Sequence, residues 1–359
     1  MQGAARGSFV DLLKLLAALT PTPSNNNASD GVGIGLDACC IPLSRHKALS
    51  LIQTTDFFYP LVDHPFVMGY IAAANTLSDL YAMGVVATDN MLMLLAVPTN
   101  LPEQHRFPVV HQLIKGFAKC CSEAGTCVRG GQTVFNPWLT IGGVATAVCA
   151  RDEYIRPDGA QAGDVLVLTK PLGTQVAVNA YEALQKDAQS EQVQKLLALF
   201  GGDAQAIRRC YYRAVDCMTR LNRTAALLMH KYGAHGATDV TGFGLLGHAH
   251  NLAEAQQAAV SFVLHKLPLI KDTKRMADAY GNSFGLMQGR SAETSGGLLV
   301  ALPREQAVSF CRELESIGGL PAWLIGVVEA SDVRAATIVQ DARVIEVPQT
   351  DSAHSDCLW

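Results

Sequence analysis

The sequence predicts an α/β (α+β) protein of two domains, and three observations lead there. Short apolar runs alternate with helical periodicity over the first 150 or so residues in the order β-β-α-β-α-β, which an all-helical protein would not show. The cluster Arg156-Pro157-Asp158-Gly159 then interrupts the pattern with turn residues, and a fresh strand opens at Asp164. The chain also has 359 residues, more than one core of ordinary size usually organises.

Residues 1–8 read as a flexible leader, Phe9 to Leu19 as a short helix with Asp11 near its start, and Pro21 to Asp30 as a polar loop. Residues 1–30 therefore stand apart from the globular chain. Two strands follow, Val32 to Ile41 and Leu49 to Asp56. Phe66 to Met83 has the period of a helix that stops at Gly84. Met91 to Val97 reads as a strand, Val109 to Ala124 as a helix and Leu139 to Cys149 as a strand, completing an N-terminal domain over 31–158. The second domain, 159–347, opens with the strand Asp164 to Thr169. Helices at 175–185, 190–200 and 204–231 come next, and strands recur near 237–240, 259–264, 297–302, 323–329 and 335–346. Residues 348–359 form a polar tail.

Composition excludes several classes of function. Hydrophobic residues make up 49% and charged residues only 17%, against roughly 25% in an average soluble protein. So charge-poor a surface points to self-association. The formal net charge is -4 and no run of Lys and Arg exceeds two residues, which argues against a nucleic-acid partner. No apolar stretch reaches the roughly 20 residues that a bilayer requires. The ten cysteines include no C-x-x-C pair, so they suggest neither zinc nor a secreted disulfide framework, and a cytoplasmic protein is expected.

The sharpest signal is the placement of aspartates. Asp79 is the only charge in Gly69 to Gly84, with Asn75 four residues before it on the same helical face. Asp37 is the only charge in VGIGLDACCIPL, Asp56 follows two threonines in SLIQTTDFF at the end of the expected strand, and Asp239 lies in HGATDVTGFGLLGH. A single such carboxylate is adequately explained as a helix cap or an acceptor of backbone N–H bonds. Four are harder to explain that way, because an unpaired buried carboxylate costs several kcal/mol. Divalent cations are their natural partners, and an all-oxygen ligand set favours Mg²⁺ or Mn²⁺ over zinc. Mg²⁺ on scattered carboxylates in turn suggests a phosphorylated substrate.

The glycine motifs are less specific. No Gly-Lys dipeptide occurs, so there is no Walker A loop, and no H-R-D kinase loop is present. Gly242-Phe-Gly244-Leu-Leu-Gly247 fits G-x-G-x-x-G, but the next strand ends in His265-Lys266 where a dinucleotide site needs an acid. Gly130-Gly131-Gln132-Thr133 suits either a phosphate-binding loop or a hairpin turn, and Thr294-Ser295-Gly296-Gly297 is equally open. His248 and His250, two apart on a helix, point in different directions and read as structural or surface residues.

Together, the segments GIGLDACCIPL, LSLIQTTDFFYPLVDHPF, NTLSDLYAMGV, EAGTCVRGGQTVFNPW, GDVLVLTKPLGTQVAV, HGATDVTGFGLLGHA and ETSGGLLVALP resemble selenophosphate synthetase (selenide, water dikinase), in the family's order and closest to its eukaryotic members. The resemblance implies a two-domain aminoimidazole-ribonucleotide-synthetase-like fold, with mixed sheets flanked by helices, and a homodimer. In this scheme 31–158 is the ATP- and metal-binding and dimerisation domain. The implied reaction turns ATP, selenide and water into selenophosphate, AMP and phosphate, supplying selenium for selenocysteine synthesis. It also implies Mg²⁺, with K⁺ commonly needed. Asp37, Asp79 and Asp239 match the family's metal-binding aspartates, and Asp56 a further nucleotide- and metal-site position. Gly35, Leu36, Gly130, Gly131, Gln132 and Thr133 match nucleotide-contacting positions, the last four on a loop that reaches the nucleotide across the dimer interface.

One departure stands out. The family carries a Cys or selenocysteine and then a Lys in a glycine-rich N-terminal segment. Here no Cys precedes Cys39 and the first Lys is Lys14, so no residue matches those catalytic positions. The expectation is a trimmed N-terminus and impaired selenophosphate formation. Two alternatives remain: an ATP-dependent enzyme of the same superfamily that yields ADP, and a non-catalytic regulatory paralogue.

Overall fold

A computed structural model describes residues 36–348. The leader, the Phe9–Leu19 helix, the polar loop, Gly35 and the tail from 349 lie outside the described residues.

Two mixed sheets form the frame. The first has the order β1-β2-β5-β3-β4. Its strands are β1 (Cys39–Pro42), β2 (Leu49–Phe58), β3 (Asn90–Pro98), β4 (Val128–Asn136) and β5 (Thr140–Ala150). All its pairings are antiparallel except β3 with β4. That parallel pair is joined by helix α2 (Glu103–Glu123), the crossover a parallel connection requires. The second sheet has the order β11-β8-β10-β6-β9-β7. It is built from β6 (Val165–Leu168), β7 (Gly236–Asp239), β8 (Val260–Ile270), β9 (Leu298–Leu302), β10 (Trp323–Ala330) and β11 (Ala336–Val347). Helices α3 (Thr174–Lys186), α4 (Glu191–Ala198), α5 (Ala204–Thr219), α6 (Arg223–Lys231), α7 (Gly244–Glu254), α8 (Thr273–Ala279) and α9 (Arg304–Gly318) complete this half.

Helix α1 (Pro65–Ala82) joins the two halves. His64 caps its start by accepting from the Val67 N–H, Pro65 has no N–H to satisfy, and Gly84 ends it at φ +70°. Every residue from Val67 to Ala82 is buried. The helix packs on β2, β5 and α2 on one side and on β7, α5 and α6 on the other. With no face in water, its polar residues Asn75, Thr76, Ser78 and Asp79 must be satisfied inside the protein.

The structure corrects four sequence expectations. Gly130–Thr133 is neither a loop nor a hairpin turn but part of edge strand β4. Gly131, at φ +143°, lies so close to β3 that a Cβ would sit 1.9 Å from the Met93 carbonyl oxygen. The helix expected over 204–231 is two helices, because the Arg220 backbone turns extended (ψ 127°). Strand β8 continues past Leu264 to Ile270, through Pro268, by pairing in parallel with β11. Helices α8 and α9 are additional to those the periodicity predicts. Among the described residues no helix is long and apolar enough to cross a membrane.

The α1–α2 crossing depends on two glycines. A Cβ on Gly116 would lie 1.8 Å from the Phe66 carbonyl oxygen, and one on Gly69 would lie 2.0 Å from that of Leu113. Gly116→Ala is therefore expected to destabilise the chain by about 1–3 kcal/mol through overpacking. Gly318→Ala, with nothing within 4 Å, is expected to be neutral or slightly stabilising. Urea unfolding midpoints of the two variants check this pair.

Candidate metal centre

Strand β2 and helix α1 meet in register at the site. Thr54 and Asp56 project from one face of β2, about 6.6 Å apart along the strand. Asn75 and Asp79 project from one face of α1, about 6 Å apart along the helix. The similar spacings allow two rungs. Thr54 Oγ1 donates to Asp79 Oδ2 at 2.5 Å, and Asn75 Nδ2 donates to Asp56 Oδ2 at 2.7 Å.

The second half of the protein contributes the end of β7. Asp239, 1% exposed, is its last residue. Its neighbour Thr238 donates through Oγ1 to Asp37 Oδ1 at 2.8 Å, drawing the segment before β1 to the same place. Asp37, Asp56, Asp79 and Asp239, scattered over some 200 positions of sequence, thus form one electrostatic unit. Burial, then repulsion from Asp239, raises Asp37 and Asp79 well above the usual carboxylate range. The same two causes raise Asp56 to about 7. Burial raises Asp239 to about 6, although a hydrogen bond from Ser78 and the charge of Lys170 favour its ionised form.

The site's hydrogen-bond partners are all neutral. Hydroxyls and an amide orient these carboxylates, and among the described residues none of the four forms an ion pair. Asp239 Oδ2 is buried with no hydrogen-bond partner. A buried carboxylate oxygen without a donor is costly, and a cation is the partner this all-oxygen set fits. Sequence reasoning missed the neighbouring His248, which brings a ring nitrogen within 4.8 Å of carboxylate oxygens from Asp37 and Asp239. The signal was faint, because His248 lies nine residues beyond Asp239, past the turn into α7. Its Nε2 accepts from the Phe243 N–H (3.4 Å) and lies 3.1 Å from Thr241 Oγ1. Burial lowers the ring's pKa to about 4, so it is neutral and braces the turn that follows Asp239. His250 turns away, accepting through Nδ1 from the Ala336 N–H.

The nucleotide-contacting candidates divide. Leu36 directly precedes Asp37 and packs against the core. Gly130, Gly131, Gln132 and Thr133 lie on β4, three strand positions or roughly 14 Å from β2. Within one chain the fold does not bring them to the aspartates.

Family models cover both halves of the chain: AIR synthase related protein, N-terminal domain, matches residues 35–149, and AIR synthase related protein, C-terminal domain, matches residues 161–338. Together the two matches make the chain an AIR synthase related protein. "Selenide, water dikinase 3" of Danio rerio is 52% identical over 338 residues, 90% of this chain and 74% of that protein. "Selenide, water dikinase 2" of Homo sapiens is 54% identical over 319 residues, 88% of this chain and 69% of that protein. The chain belongs to the selenide, water dikinase family. Among solved structures, AaThiL complexed with AMPPCP and TMP shares the fold, with a TM-score of 0.64, 19% identity and 94% of each chain covered.

The raised carboxyls have a consequence for stability. Each binds its proton more tightly in the folded chain than in the unfolded one, so the stability it contributes is complete below about pH 4 and is lost as pH rises through its folded value. For Asp239 and Asp56 that loss runs upward from about pH 4 and levels off at about 6 and about 7. The thermal midpoint of the cation-free chain is expected to fall between about pH 4 and about pH 7, with Mg²⁺ restoring it more at the upper end. Differential scanning fluorimetry with Mg²⁺ and with a chelator checks both signs.

Proposed function

We propose that the protein is a selenophosphate synthetase that converts ATP, selenide and water to selenophosphate, AMP and phosphate. Membership of the selenide, water dikinase family names the reaction class. The observation that carries the reading to this chain's own residues is the convergence of Asp37, Asp56, Asp79 and Asp239 with no ion pair to any of them among the described residues.

Hydroselenide is already anionic near neutral pH, so phosphoryl transfer to it needs positioning and charge neutralisation more than a strong base. Mg²⁺ held by Asp37, Asp79 and Asp239, with Asp56 beside them, would neutralise triphosphate oxygens, and K⁺ suits the same oxygen-rich surroundings. Thr54, Asn75 and Thr238 keep the carboxylate oxygens turned toward the shared space. Gly35 and Leu36 lead into Asp37, where backbone N–H groups can meet the nucleotide.

A homodimer accounts for the β4 residues. Strand β4 is a largely exposed edge, and Val134 and Phe135 on it, with Trp138 just beyond it, leave apolar surface in water. A second copy covering this surface would bury that area and bring Gly130, Gly131, Gln132 and Thr133 to the partner's acidic site. The cysteine pattern fits a cytosolic location.

Phosphorus NMR of the reaction products tests the activity. Selenide-dependent formation of AMP with phosphate supports the reading, whereas ADP as the end product points to a different reaction of the superfamily. Asp79→Asn is expected to abolish Mg²⁺-dependent ATP binding in calorimetry, and unchanged binding counts against the carboxylate site. Phe135→Asp is expected to shift the protein from dimer to monomer in light scattering while leaving its circular dichroism unchanged.

A further inference from the structure

Lys170, just after β6, is the one buried lysine among the described residues, at 2% exposure. Its Nζ donates to two carbonyl oxygens, Arg220 at 2.6 Å and Ser295 at 2.8 Å, and among the described residues it forms no ion pair. It lines a cleft of about 660 Å³ together with Tyr70, Glu123, Arg220 and Asn222, and none of the four aspartates lines that cleft. A lysine side chain removed from water this completely needs a role that outweighs its desolvation.

Ser295 links Lys170 to the acidic site. It is 1% exposed and sits at φ +44°, a left-handed conformation costly for a residue with a Cβ. Its own hydroxyl has no hydrogen-bond partner, so the side chain does not hold the conformation. Two backbone bonds flank its Cα instead: the carbonyl accepts from Lys170, and the N–H donates to Asn75 Oδ1 at 2.6 Å. The next two residues must be glycines for the strap to lie this close. A Cβ on Gly296 would meet the Val240 carbonyl oxygen at 2.0 Å, and one on Gly297 the Lys170 nitrogen at 2.3 Å.

The bond from Ser295 determines which way the Asn75 amide faces. An amide presents an acceptor at one end and donors at the other. With its oxygen claimed by the Ser295 N–H, its nitrogen faces Asp56 Oδ2. We propose that Lys170 is a positioning residue for the metal centre: by anchoring the strained Ser295 carbonyl it holds the Asn75 amide donor on Asp56, and so sets the cation affinity of a site it does not touch. This inference rests on the reading of the acidic cluster as a cation site.

The test is a double-mutant cycle on the full chain, read as Mn²⁺ affinity from the electron paramagnetic resonance signal of free Mn²⁺. The four proteins are the unmodified chain, Lys170→Met, Asp56→Asn and the double variant. Lys170→Met is expected to weaken Mn²⁺ binding about tenfold or more, the usual scale for groups that orient ligands. In the Asp56→Asn background the same substitution is expected to change affinity less than about twofold, because the carboxylate it acts through is gone. Equal weakening in both backgrounds, or none in either, overturns the proposal. If circular dichroism shows Lys170→Met unfolded, the cycle is run with Lys170→Gln under the same criteria. If the unmodified chain itself binds no Mn²⁺, the cation-site reading fails and this inference with it.

Discussion

Four carboxyl groups share one poorly hydrated space where the two halves of the protein meet, and the cost of ionising them there, set by burial first and by repulsion among them second, is the constraint around which the rest is arranged. Moving Asp239 from its ordinary value to about 6 represents roughly 3 kcal/mol of work against ionisation. A fold stabilised by only about 5–15 kcal/mol overall does not carry that load without a use for it. The surroundings keep the load in place. Thr54, Asn75, Ser78 and Thr238 orient the acids through neutral groups, and no arginine or lysine forms an ion pair with them among the described residues. Direct basic partners would have offset the cost of ionising the acids.

Such an arrangement needs a rigid support. Helix α1 supplies Asn75 and Asp79 from the most enclosed position in the structure, pressed against sheet strands, α2 and the helices of the second half. Gly69 and Gly116 let α1 and α2 approach until backbone meets backbone, so the helix has little freedom to shift. The Thr294–Gly297 strap closes the junction from the other side. Asn222 Nδ2 joins Ser78 Oγ to the Gly296 carbonyl at 2.9 and 2.8 Å, so one side chain ties that strap to α1. The acidic cluster is therefore tied to the packing of both halves, and the cation affinity proposed for it would be linked to stability through the same groups.

Sheet architecture accounts for what one chain does not bring together. Placing β5 and β3 between β2 and β4 separates the Gly-Gly-Gln-Thr segment from the aspartates by strand spacing alone. The same order leaves β4 as an exposed edge beside uncovered aromatic residues. The low charge content of the chain and this bare edge are the two features on which the proposed homodimer rests.

By itself the sequence determined which acidic residues stand apart from any basic neighbour, the four that the fold then gathers. Asp37, Asp56, Asp79 and Asp239 stand out because charge isolated in an apolar frame is visible one segment at a time, and because four separate motifs resemble one family. The helix ending at Gly84 and the strand before Asp56 were legible for the same reason, since periodicity and terminators are local. What depended on contacts between distant residues was decided only by the tertiary structure. Strand β4 hides behind glycines because its pairing with β3 comes from the crossover through α2, and the break at Arg220–Asn222 depends on partners far away in sequence. His248 comes beside Asp37, and Lys170 reaches Asn75 through Ser295, only once the two sheets have packed. Side-chain chemistry is a local property, whereas the distance and orientation between two groups belong to the whole folded chain.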